Sequence, residues 1–166
     1  MLSCILKLKP DNYPLLYIAT LYHDIVYDPK RNDNEELSYQ RCELDLKSYI
    51  DKKDLNLIKK MILKSKHKGK LNSNGFSSKE YYDLKIFIDA DLSILGESKK
   101  EYKIYSSNIR KEYSHVSNED YKIGRTKFLK SMLKRSRIFN VLSDYKEFRA
   151  RKNIENEIEE LNDNSK

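Results

Sequence analysis

Apolar residues recur at helical spacing along nearly the whole chain, and little interrupts them. Only 4 Gly and 3 Pro occur in 166 residues. No stretch alternates apolar and polar residues between paired turn signals, so an all-α fold is the expectation. Residues 1–9 carry Met1, Leu2, Ile5 and Leu6 at helical spacing and stop at Pro10-Asp11-Asn12. Pro14 suits the first turn of a second helix. That helix is expected over 14–27, apolar on most faces and therefore central. After a loop over 28–33, Asp33 or Asn34 caps a third helix reaching Ile50, with Glu35 and Glu36 well placed in its first turn. Further helices are expected over 55–66, 79–96 (ended by Gly96 as a C-cap), 98–114, 118–135 and 142–162. The polar, Gly- and Asn-containing stretch 66–79 reads as a loop.

Length fits one domain, expected over 1–160 with a frayed tail at 161–166. Hydrophobic residues make up 39% of the chain and charged residues 36%, so 13 Tyr must supply much of the core, with their hydroxyls paired or at its edge. The net charge of +7 favours anionic partners. Its lysines are nevertheless interspersed with acids and form no block of five, as on a solvated surface. The basic stretch KFLKSMLKRSRIF (127–139) has ordinary amphipathic spacing and no nucleic-acid motif, so nucleic acid is not an expected partner. Cys4 and Cys42 have no metal-ligand spacing and form no disulfide framework, which suits a reducing compartment. No apolar run approaches the ~18 residues of a membrane span, and the N-terminus lacks a cleavage pattern. A cytoplasmic location with no membrane partner is expected.

Two places put acids on an apolar background. In LYHDIVYDP (21–29), His23 and Asp24 fall on the expected central helix. In IFIDADLSIL (86–95), Asp89 and Asp91 interrupt an otherwise apolar run. A carboxylate buried without a partner is costly. A shared divalent cation would satisfy both places at once, and mixed oxygen and imidazole donors suit Mn, Fe, Mg, Co or Zn.

Four ordered blocks carry a resemblance: LYHDIVYDPKRNDNEELSYQ (21–40), FIDADLSILG (87–96), YSSNIRKEYSHV (105–116) and YKIGRTKFLKSMLKRSRIF (121–139). They resemble the HD superfamily of metal-dependent phosphohydrolases. The likeness is closest to a subgroup of small HD-domain proteins with HDxxYDP, DNEExS and DADLxILG motifs, and it spans about residues 14–160. It implies an HD-type helical bundle that hydrolyses a nucleotide or other small phosphorylated molecule with a divalent metal ion. His23 and Asp24 match the metal-binding doublet. Asp91 matches the last metal-binding Asp, with Asp89 as the fallback. His67 matches the subgroup's isolated His, near the metal, a second ion or a phosphate. Asp24 would orient or deprotonate the attacking water, and Glu35 or Glu36 would assist as acid or base or serve only the helix start. Arg110, Arg125 and Lys111 are the phosphate-binding candidates, with His115 in the same block.

One departure stands out. The superfamily's first metal-binding His belongs on an earlier helix, and no His precedes His23. The expectation is therefore an N-terminally shortened bundle with a weakened site. Two other readings follow: an impaired HD remnant that binds metal or nucleotide without turnover, or an interaction protein using an exposed apolar patch, such as a homo-oligomer.

Overall fold

The computed structural model describes residues 1–67, 69 and 71–163. Among these the regular structure is helical throughout: α1 (Leu2–Leu8), α2 (Tyr13–Tyr22), α3 (Asn34–Leu46), α4 (Lys52–Lys64), α5 (Ser78–Asp91), a 3-10 turn (Leu92–Gly96), α6 (Lys99–Glu112), α7 (Asn118–Leu133) and α8 (Asp144–Asp163). Of the expected tail, 161–163 complete α8, and 164–166 lie outside the described residues. No described helix is long and apolar enough to cross a membrane. Neither cysteine is in a disulfide among the described residues. The chain divides into two compact units, Met1–Asp91 and Leu92–Lys166.

In the first unit, α4 presents one continuous apolar face, with Leu55, Leu57, Ile58, Met61 and Ile62 buried. It packs against α2, α3 and α5. Ile5, Leu16, Ala19, Cys42, Leu84, Ile86 and Phe87 complete a core closed to solvent. Each large aliphatic side chain enclosed there contributes about 1.5–3 kcal/mol. Burial, followed by Asp45 and Glu43, pushes the Cys42 thiol up to about 11. The start of α2 is tied down twice. Asn12 Oδ1 accepts from the Leu15 N–H at 3.3 Å. The buried Asp83 on α5 accepts from the backbone N–H groups of Asp11 and Asn12, both at 2.8 Å.

The sequence pattern predicts α2 to reach residue 27, but it ends at Tyr22 with His23 as its C-cap. The physical reason lies on α3. The fully buried Ser38 accepts from the Val26 N–H and donates to the Val26 carbonyl, both at 3.2 Å. A side chain thereby takes the backbone groups that another helical turn would use. Asn34 likewise does not cap α3. It sits inside the helix, accepts from the Asp28 N–H at 3.1 Å and donates to the Asp28 carbonyl at 2.8 Å. Asp33 is the N-cap residue, yet its carboxylate pairs with Arg31.

In the second unit, α8 organises the structure through polar side chains on its buried face. Ala150 and Ile154 are enclosed beside Glu147, Asn153 and Glu157. Glu147 accepts from the N–H groups of Ile138 and Phe139 at 3.0 Å. Arg151 donates to the carbonyls of Leu133, Arg135 and Ser136, covering the end of α7. Asn153 donates to the carbonyls of Leu95 and Glu97 at 2.9 and 3.0 Å. Gly96 is required by this close approach and not by a left-handed cap, because a Cβ there would lie 2.8 Å from the Lys146 carbonyl oxygen.

Arg125 and Glu157 form a buried two-pronged pair, Nε to Oε1 at 2.8 Å and Nη2 to Oε2 at 3.1 Å. The Tyr102 hydroxyl donates to the same carboxylate at 2.5 Å. Removing one member of such a pair strands the other charge, which typically costs about 3–5 kcal/mol. Arg125→Leu is expected to lower the unfolding free energy by that amount, read as a lower urea midpoint at unchanged denaturant slope. Arg125→Leu combined with Glu157→Leu should recover most of the loss. A single variant losing under about 1 kcal/mol would contradict this account.

Candidate metal centre

The candidate residues of the first unit converge where three helices end. His23 caps the C-terminus of α2, His67 lies just past the C-terminus of α4, and Asp91 is the last residue of α5. A helix C-terminus carries about half a unit of negative charge from its unsatisfied carbonyls. Three such ends beside two carboxylates make a place that favours cations.

His23 is held in one orientation. Its Nδ1 lies 2.9 Å from the Thr20 carbonyl oxygen, which can only accept, so Nδ1 carries a proton. Its ring meets Phe87 edge to face, with centroids 5.9 Å apart. That leaves Nε2 facing Asp24 Oδ2 at 3.2 Å and Asp91 Oδ1 at 3.4 Å. The other oxygen of Asp91 lies 2.8 Å from His67 Nε2. His67 reaches it from a left-handed backbone conformation (φ 52), uncommon for a residue with a side chain. Asp24 is the outermost member, with 55% of its side chain exposed.

The electrostatics follow from this arrangement. Burial opposes a charge on His23, but hydrogen bonds to Asp24 and Asp91 outweigh it and hold the imidazole up at about 10. Burial likewise opposes ionisation of Asp91, and the two histidines overcome it and push the carboxyl far below its ordinary range. The metal-free cluster is thus a protonated His23 locked between carboxylates.

Asp91, and not its fallback Asp89, is the acid that meets both rings. Two residues along a helix turn a side chain by about 200°, and the fully buried Asp89 belongs to the opposite face of α5. Glu35 and Glu36 are tied to the segment that carries His67. Lys66 Nζ lies 3.6 Å from Glu35 and 2.6 Å from Glu36. Its ammonium holds the Glu36 carboxyl below the usual range, so that group is an anion at neutral pH and poorly suited to donate a proton.

The phosphate candidates all belong to the second unit. Arg125 has its fork occupied by Glu157. Arg110 donates to the carbonyls of Tyr113 and Val116 and to Asn118, bracing the turn between α6 and α7. Lys111 is exposed, and so is His115, which stacks on Tyr113. Thr20, Ser38 and Lys66 escape sequence reasoning, and Asn34 is read there only as a helix cap. Only Thr20 leaves a hint, three residues before His23 and so one helical turn away.

The donor set suits a divalent ion. Neighbouring donors at about 2.1 Å from one ion stand about 3 Å apart in an octahedral shell, close to the separations of His23 Nε2 from Asp24 and Asp91. As the side chains stand, they close on one another. Among the described residues no group of three or more His, Cys, Asp or Glu surrounds a common ion position. No protein-family model, curated protein or solved structure matches this chain.

A histidine whose folded pKa is raised contributes stability that is fully present below its unfolded value near 6.5 and is lost as pH rises through about 10. The His23 ring in the metal-free chain is therefore expected to titrate near pH 10 by NMR, with the urea midpoint falling between pH 7 and 10. Asp91→Asn should move that titration down. A wild-type midpoint near 6.5 would contradict the geometry.

Proposed function

We propose that this chain is an HD-type metal-dependent phosphohydrolase acting on a nucleotide or other small phosphorylated molecule. The observation that carries the reading is the orientation of His23. Its Nδ1–H is committed to a backbone carbonyl, and its Nε2 faces two carboxylates from separate segments. An N–H bond of this kind fixes the tautomer and leaves the second nitrogen to act as a ligand. His23, Asp24 and Asp91 are the residues that would hold the ion, with His67 fixing Asp91 from behind. A bound divalent cation would supply Lewis acidity, acidifying a water and offsetting charge on the phosphoryl oxygens.

The chain's own groups have distinct tasks in this reading. Asp91, half-buried and gripped by two histidines, positions. Asp24, half in solvent, is the member able to orient a water or take its proton. Lys66 pairs with Glu35 and Glu36 and so ties the start of α3 to the His67 segment. The resemblance of the four sequence blocks to the HD superfamily supports the same assignment.

The closed donor set favours one second reading, a remnant that binds metal or nucleotide without turnover. Hydrolysis of methyl phosphate and of nucleoside phosphates with added Mn, Co or Fe separates the two. Turnover is expected in the wild type. Asp24→Asn should lower kcat by about 100-fold or more, the usual scale for a lost general base. Binding of metal or nucleotide without turnover would select the remnant, and no binding of either with no turnover would contradict both readings.

A further inference from the structure

The segment after Asp24 is held in an unusual way. Ser38 makes a two-way hydrogen-bond exchange with the backbone of Val26, and Asn34 makes another with Asp28. Both side chains come from α3 and both are buried. They engage alternate residues, as a neighbouring strand would. Exposure follows the same alternation. Val26 and Asp28 are half-buried, whereas Ile25 and Tyr27 are 49% and 48% exposed. Two large apolar side chains are thus presented to solvent from a backbone fixed at two points.

Position makes this pair informative. Ile25 directly follows Asp24, and Tyr27 lies three residues on, so its Cα is at most about 11 Å from that of Asp24. The donor atoms of the cluster offer charge and hydrogen bonds, which suit the phosphate of a substrate. Ile25 and Tyr27 add exposed apolar surface close in sequence to the half-exposed Asp24 carboxylate, suited to the organic part. Aromatic rings stack well on flat apolar groups, and Tyr offers a large face with few rotatable bonds.

We infer that Ile25 and Tyr27 form a platform for a flat aromatic ring joined to the substrate's phosphate through a short linker, as in a nucleoside monophosphate. This rests on the proposed phosphohydrolase reading and narrows its substrate class. Tyr27 is a specificity-determining residue in this account and takes no part in the chemistry. Ser38 and Asn34 are positioning residues that keep the platform in place.

Calorimetric binding of AMP and of ribose 5-phosphate to the full chain tests it, with and without Mn, because ribose 5-phosphate keeps the sugar and phosphate but has a hydroxyl where AMP has its base. Wild type is expected to prefer AMP by about tenfold or more, the scale of one base stacked on an aromatic side chain. Tyr27→Ala should bring the ratio close to one, Tyr27→Phe should keep it, and Ile25→Ser should lower it several-fold. Circular dichroism checks that each variant folds. Equal binding of both ligands by wild type, or a ratio untouched in Tyr27→Ala, would overturn the inference. Methyl phosphate turnover, measured separately, tells the two claims apart. Turnover without a ring preference removes the platform alone, and a Tyr27-dependent ring preference without any turnover removes the enzyme reading alone.

Discussion

The geometry of the first unit turns on one hydrogen bond, from His23 Nδ1–H to the Thr20 carbonyl. It joins a helix-end carbonyl to a ring that has no choice of tautomer, and it aims Nε2 at Asp24 and Asp91. The rest supports that aim. Phe87 fixes the plane of the ring. Ser38 takes the backbone groups of Val26, stopping α2 where His23 becomes its cap. His67 holds the far oxygen of Asp91 at the cost of a left-handed backbone. Three helix C-termini then face the cluster with partial negative charge, and a proton occupies it on His23; the proposed divalent ion would compete with that proton.

The two units reach stability by different means. The first encloses aliphatic side chains on α2, α4 and α5, with the buried Asp83 tying down the start of α2. The second relies on α8, whose Glu147, Arg151, Asn153 and Glu157 satisfy backbone groups of neighbouring segments or pair with Arg125. A buried pair of that kind adds little net stability over an apolar replacement, yet is costly to break. The guanidinium of Arg125 is thereby spent on structure.

Much of the architecture is legible in the sequence because helical periodicity and scarce Gly and Pro report local preference directly. The apolar face of α4 and the break at Pro10-Asp11-Asn12 are read in this way. The end of α2 is not, since it depends on Ser38, which lies on another helix, twelve residues beyond Val26. Gly96 is readable as a helix terminator, but its need arises from the backbone of α8. In the site, His23, Asp24 and Asp91 stand out as polar interruptions of apolar runs. Lys66 and Thr20 do not, because each is an ordinary residue type in an ordinary place until the fold gives it a partner. Arg110 and Arg125 look like phosphate forks for the converse reason: sequence shows a guanidinium but not the carbonyls or carboxylate that occupy it.

The most direct test of the account is the metal stoichiometry of the purified chain after exposure to Mn or Fe and removal of excess, measured by elemental analysis beside Asp91→Asn. The account predicts about one tightly held ion per wild-type chain, and a loss of ten-fold or more in affinity when Asp91 is neutralised. Equal metal content in wild type and Asp91→Asn, or none in either, would contradict the claim that His23, Asp24 and Asp91 form a metal centre.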